Sequence, residues 1–368
     1  QQDEWLGLGN AFTYHDGGGV KQVLQEVFLP NNPLSRILPL TGLTNYFVFN
    51  TFKPYAPAYG WLAVGVAFVN AILLYLILQK WLGSHAIGVV IAGLWITNNL
   101  AVQSITWIGT FIPSQFSVLF FLLSWWSWFL YLDNRRLSQL WITMGLVWIS
   151  LWYKEMAVFY ILLFPAVALI SKKKVGKEII ILILPLMVML GIPKLINLWR
   201  GFSATASPSL EVVTQDNIYY NAFLLPARTL AHIFLPTNSL YKLFYKANEI
   251  HYDTILDGNI VESVVGDAFS LLVSFYILLL IVGLSYLGTS QNRKVIWLSM
   301  GVFFISVLPY ALYVNRNAIL EPRYYIYPAL TAYLMIGVAV WGMWNKISPK
   351  FCALLFVFIL VRVGDDMR

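Results

Sequence analysis

A series of long apolar runs constrains this chain more than any other feature. They cover roughly residues 58–79, 86–106, 114–132, 138–153, 156–171, 179–197, 268–288, 295–314, 324–344 and 351–363. A helix rises 1.5 Å per residue and the hydrocarbon core of a bilayer is about 30 Å thick, so about 20 apolar residues cross it. The runs 138–153, 156–171 and 351–363 are the shortest. Charged residues make up 11% of the chain and hydrophobic ones 59%, whereas soluble domains carry roughly 25% charged residues. The expected fold is all-α, a polytopic membrane bundle of about 10–11 transmembrane helices.

The charges orient these runs. Short loops at Lys80, at Arg135 and Arg136, at Lys172 to Lys177, at Arg293 and Lys294, and at Lys346 to Lys350 alternate with the others and carry the cations. By the positive-inside rule they are expected in the cytoplasm. Those loops hold two of the 17 acidic residues, Asp133 and Glu178. Two large outer segments follow from this map. The expected organisation is a first outer loop at 1–57, transmembrane helices at 58–197, a second outer loop at 198–266 and transmembrane helices at 267–368. A transmembrane helix is expected before Gln1, because the first outer segment must be brought across. Residues 218–235 are long enough to cross, but crossing would invert every later loop, so an interfacial or re-entrant helix bent at Pro226 is expected. The net charge of +7 is scattered among loops and does not point to nucleic acid. Cys352 is the one cysteine, so no intramolecular disulfide forms.

Several polar stretches interrupt the apolar pattern. QDEW (2–5) places Asp3 and Glu4 where a shielded carboxylate could act as a general base; acids beside a helix are also often merely solvated. HDGGG (15–19) carries His15 and Asp16 on a glycine-rich loop tip, and two ligands of unspecified geometry do not define a metal site. WYKEMAVF (152–159) sets Lys154 and Glu155 between two apolar runs, either as an ion-paired hairpin turn or facing a polar cavity. ARTLAH (227–232) puts Arg228 and His232 four apart on one helical face, either snorkelling to the interface or binding a lipid phosphate. EPRYYIYP (321–328) places Glu321, Arg323, Tyr324, Tyr325 and Tyr327 at the edge of an apolar run. The tyrosines fit an aromatic belt, while Arg323 is costly at that depth unless paired or facing water. No Walker A, Rossmann glycine, HExxH, nucleophile-elbow, paired CxxC or EF-hand motif occurs.

Taken in order, these stretches resemble the GT-C superfamily of integral membrane glycosyltransferases. The nearest likeness is to the transmembrane O-mannosyltransferases with TPR repeats and the protein O-mannosyltransferases. The acidic pair of that family's first outer loop resembles Asp3 and Glu4. Its "RPL" motif resembles SRILPLTGLTNYFVFN (35–50), with Arg36 displaced from Pro39. Its following helix resembles YGWLAVGVAFVNAILLY (59–75), which keeps Asn70, Ala71 and Tyr75 but lacks both family histidines. WITNNLAVQSITWIGTFIPSQFSVLFFLLS (95–124), YKE (153–155) and EPRYYIYP are similar to its later motifs. The TPR repeats are absent.

The resemblance implies transfer of a sugar from a polyprenyl-phosphate donor to an acceptor hydroxyl on the outer face, with inversion. It implies Asp3 as the base with Glu4 beside it. Arg323, Arg228 and Lys154 would hold the donor phosphate, and Tyr324, Tyr325, His232, Glu155 and Asp16 would line the substrate path. The lipid-linked sugar is a co-substrate, and no metal ligand set is implied. Expected partners are membrane lipid, an acceptor protein or glycan and further membrane subunits, with the active side extracytoplasmic in a bacterial inner membrane or endoplasmic reticulum. Two other readings remain open. The missing histidines and the rewritten Arg36 region suit a non-catalytic GT-C-fold subunit or lipid-binding scaffold. A transporter should show two repeated halves, and the sequence shows none.

Overall fold

The computed structural model describes residues 18–28, 38–53, 55–98, 103–106, 108–171, 173, 175–184, 215–234, 260–308 and 325–343. Among them every regular element is helical. The first is α1 (Gly19–Phe28), followed by α2 (Pro39–Phe52), α3 (Ala56–Leu82), α4 (His85–Ile96), α5 (Gln103–Thr106) and α6 (Ile108–Phe111). A π-helix (Ile112–Phe116) leads into α7 (Ser117–Asn134), and α8 (Leu137–Tyr153) leads through a 3-10 helix (Glu155–Leu162) into α9 (Leu163–Ile170). Then come α10 (Gln215–Phe234), α11 (Ile260–Leu287), α12 (Ser290–Val307) and α13 (Ile326–Met343).

Two described helices are long and apolar enough to cross a membrane, Ala56–Leu82 and Gly109–Asn134. The apolar run 86–106 is not one helix. Helix α4 stops at Ile96, where Thr97 turns its hydroxyl back onto the Gly93 carbonyl (2.8 Å) and polar Asn98 follows. Its 12 residues span about 18 Å, too short to cross alone. The run 156–171 also differs from a plain helix, opening as a 3-10 turn before α9 begins.

The chain divides into two compact units, Gln1–Gly88 with Val102–Glu211, and Val89–Ala101 with Val212–Arg368. In the first, α7 and α8 form a helical hairpin, and α3 packs on α7. Arg135 closes the hairpin in the left-handed region (φ 55°), its N–H returning to the Tyr131 carbonyl. Trp125 and Trp128 are completely buried there, and the indole N–H of Trp128 donates to the Phe164 carbonyl at 3.0 Å. Ser117 and Ser150 exchange hydroxyl-to-carbonyl bonds across α7 and α8, at 3.0 and 2.7 Å. Small hydroxyl residues let apolar helices approach closely and bond across the gap.

The outward faces are apolar as well. Helix α3 exposes Trp61, Val64, Phe68, Val69 and Ile72 while its buried face holds Asn70. Helix α11 exposes Leu272, Phe275, Tyr276, Leu279 and Leu280. A water-soluble helix shows the opposite polarity, with its polar side outward.

In the second unit α13 is buried along most of its length. The Trp95 indole donates to the Ile326 carbonyl at 2.8 Å, fixing the start of α13 against α4. Two glycines allow the close packing. A methyl at Gly342 would lie 3.0 Å from the Gly288 Cα, and one at Gly337 would run into Ile91 Cγ1. Gly337→Ala is therefore expected to destabilise by about 1–3 kcal/mol, the usual range for overpacking, with Ile91→Ala recovering part of the loss in the double variant. Gly301, on an exposed face with nothing within 4 Å of an added methyl, is the control: Gly301→Ala should gain roughly 0.5–1 kcal/mol. Thermal unfolding of the four variants in detergent checks the signs. An unaffected Gly337→Ala would mean that α13 does not pack this closely on Ile91.

Candidate functional site

The site grows from a proline inside an apolar run. In the stretch FIPSQFS (111–117), Pro113 has no N–H to give to an i−4 carbonyl. The chain widens there into the π-helix Ile112–Phe116, with Ser114 and Gln115 both buried. Such single π-turns inside α-helices are frequent at functional sites. Two buried polar side chains meet this turn. The Lys154 ammonium donates to Ser114 Oγ at 2.8 Å. The Asn70 amide donates from Nδ2 to the Gln115 carbonyl at 2.9 Å and to Gln115 Oε1 at 3.0 Å. Gln115 Nε2 in turn donates to Ser104 Oγ at 3.2 Å.

Lys154 is placed by the end of α8. It is the C-cap, with extended backbone (φ −159°, ψ 126°), and its N–H returns to the Ser150 carbonyl. The preceding residue, Tyr153, is sandwiched between Phe116 and Phe120, with ring centroids 5.4 and 5.7 Å away. Its hydroxyl meets Thr44 Oγ1 at 2.7 Å, and its carbonyl accepts from the Thr41 hydroxyl at 2.9 Å. Helix α2, which carries both threonines, is thereby docked against the end of α8. Lys154 keeps only 6% of its surface exposed, and Asn70 none. Lys154 is therefore buried at the junction that WYKEMAVF marks between two apolar runs. A cation held in an apolar surround attracts anions far more strongly than one in water, and a fixed ammonium beside a hydroxyl is a competent anion partner.

No family model, curated protein or solved structure matches this chain. The functional reading therefore rests on the chemistry of the residues.

The other sequence-derived candidates distribute as follows. Arg228 lies on α10, 5% exposed, beside Thr229, which is fully buried. Helix α10 contains Pro226, as the sequence anticipated, and is buried from Leu224 to Ala231 apart from the partly buried Ala227. Ser274 of α11 donates to the Ala227 carbonyl, which ties α11 to α10 just past the proline. Tyr325 is buried immediately before α13. Glu155 and His232 have described backbone in the 3-10 helix and in α10, but their side chains fall outside the described set. Asp3, Glu4, Asp16, Arg323 and Tyr324 lie outside the described residues. Lys154 belongs to the first unit, and Arg228 and Tyr325 to the second. Ser114, Gln115 and Tyr153 are the site residues that sequence reasoning passed over. The available signals were Pro113 interrupting an apolar run and Asn70 midway along a helix whose other strongly polar side chains, Gln79 and Lys80, sit in its last turn.

The opposite end of the first unit gathers three of the alternating basic loops. Lys80 pairs with Asp133 at 2.7 Å, and Arg135 approaches Glu178 at 3.6 Å. The Tyr131 hydroxyl donates to Glu178 Oε1 at 2.6 Å, and the Gly176 N–H to Oε2 at 2.9 Å. The Tyr131 bond, helped by backbone N–H groups and Arg135, holds the Glu178 carboxyl below the usual glutamate range. A lowered folded pKa adds stability that is complete above the unfolded value, near 4.5, and is lost as pH falls through the folded one. The melting-temperature gap between wild type and Tyr131→Phe is thus expected to be present at neutral pH and to close in acid. A gap that is the same at about pH 7 and about pH 3 would show that Glu178 ionisation is not involved.

Proposed function

We propose that this chain is a multi-pass membrane protein that binds a lipid-linked phosphate and transfers its sugar to an acceptor hydroxyl, as the GT-C-like order of its motifs implies. The observation that carries the proposal is Lys154, a buried ammonium set on a π-turn within an apolar helical unit. An ionisable group at such a depth is expensive and marks a functional site by default. Arg228, buried on α10, gives the second unit a similar feature. The apolar outward faces of α3 and α11 support membrane embedding. The gathering of the loops at Lys80, Arg135 and Glu178 at one end of the first unit supports the alternating topology. In a bundle of that topology the end bearing Lys154 faces the outer leaflet, where a polyprenyl-phosphate headgroup sits.

In the proposed reaction Asp3 takes the proton of the acceptor hydroxyl as that oxygen attacks the sugar's anomeric carbon. The bond to the lipid phosphate breaks with inversion, and negative charge gathers on the departing phosphate. Fixed cations stabilise that charge: Lys154, Arg228 and Arg323 are assigned this part, with Tyr324, Tyr325, His232, Glu155 and Asp16 along the substrate path.

The test is the purified chain in vesicles with a set of polyprenyl-phosphate sugars, measuring donor binding and sugar transfer separately. Binding with transfer supports the enzyme. Binding without transfer to any acceptor supports the scaffold reading, which shares the phosphate contact. Absence of donor binding overturns both.

A further inference from the structure

We infer that Asn70 is a positioning residue, which holds the π-turn in register and so keeps Ser114 against the Lys154 ammonium. Asn70 sits midway along α3 with no exposed surface, in a helix whose other buried residues are apolar or aromatic. It spends both of its Nδ2 hydrogens on one residue, Gln115, bonding the carbonyl and the side-chain oxygen. A main-chain carbonyl inside a helix seldom needs a side-chain donor. A π-turn is the exception, because the wider i→i+5 ladder shifts which carbonyls are satisfied. Gln115 then passes the contact to Ser104. The chain of bonds Asn70–Gln115–Ser104 braces one side of the turn, and Lys154–Ser114 touches the next residue on it. Asn70 Oδ1 itself is buried and makes no hydrogen bond, so the amide is oriented by the two bonds from its nitrogen alone. A residue placed there only to fill space would be Leu, which costs nothing to bury; an amide with one unsatisfied acceptor costs stability. What the amide supplies is a fixed register at Gln115, and hence at Ser114.

This inference does not depend on which anion, if any, Lys154 receives, and its test uses no donor. Ser114→Cys in a Cys352→Ser background places a single thiol against the ammonium. A nearby cation favours the thiolate, so the thiol, followed by loss of its S–H vibrational band as pH rises, should ionise about tenfold more readily than in the same protein carrying Lys154→Met, about one pH unit. Adding Asn70→Ala instead should remove most of that difference. Thr143→Ala, a buried hydroxyl on α8 that bonds only its own helix, should leave it intact even where stability falls. Hydrogen exchange on the native Ser114 background is the second measurement. Asn70→Ala should speed exchange in peptides covering 112–119 and leave those covering α8 unchanged. If the thiol ionises alike with and without Asn70, or if exchange at 112–119 is unaltered, Asn70 does not set the register. If Lys154→Met does not move the thiol titration, the Lys154–Ser114 contact is not the one Asn70 maintains, and the inference fails as well.

Discussion

Lys154→Met is expected to weaken binding of a polyprenyl-phosphate sugar by about 10- to 150-fold, an effect that is separable from any change in stability. One charge-assisted contact to phosphate contributes roughly 1.5–3 kcal/mol, which sets that range. Methionine has nearly the length of lysine and keeps most of its volume beside Ser114, but it gives up the hydrogen bond to Ser114 Oγ. Removing one partner of a buried polar contact also costs stability, so the two effects are read separately. The two readouts therefore separate the roles of Lys154. Donor affinity and melting temperature are measured in parallel for wild type, Lys154→Met and Lys154→Arg. Unchanged affinity in Lys154→Met, together with a lower melting temperature, would make Lys154 a structural partner of Ser114 and remove it from the phosphate site.

Asp3→Asn is expected to lower sugar transfer by about 10²–10⁴-fold with donor affinity retained. A shielded general base typically contributes that much, and asparagine preserves the shape of aspartate without its basicity. Asp16→Asn should cost far less, because HDGGG reads as a loop tip. Initial transfer rates and donor dissociation constants for the two variants decide the matter. An inactive Asp16→Asn beside an active Asp3→Asn would move the base from the first acidic pair to the second motif.

The helices were largely legible in the sequence because apolar run length is a local property. The run 58–79 is α3, 138–153 is α8, and 218–235 is α10 with its proline inside, each within a few residues. Composition also announced the apolar outward faces. Where the sequence misjudged an element, a polar or proline residue had changed the backbone within an apolar run. Thr97 and Asn98 end α4 early, and Pro113 opens the π-turn; hydropathy is blind to both, since it averages over the residues that break the helix.

The candidate site divides the same way. Lys154 and Arg228 stood out in the sequence because a cation among apolar residues is rare, but each had a bland reading, an ion-paired turn for Lys154 and snorkelling to the interface for Arg228. The tertiary structure decided that both are buried. It alone brought Asn70 to Gln115, 45 positions away, and Lys154 to Ser114, 40 positions away. Run lengths and charge bias are written residue by residue along the chain. Which polar side chains meet inside is set by how α3, α7 and α8 pack and by the register of one widened turn, and no local pattern encodes that.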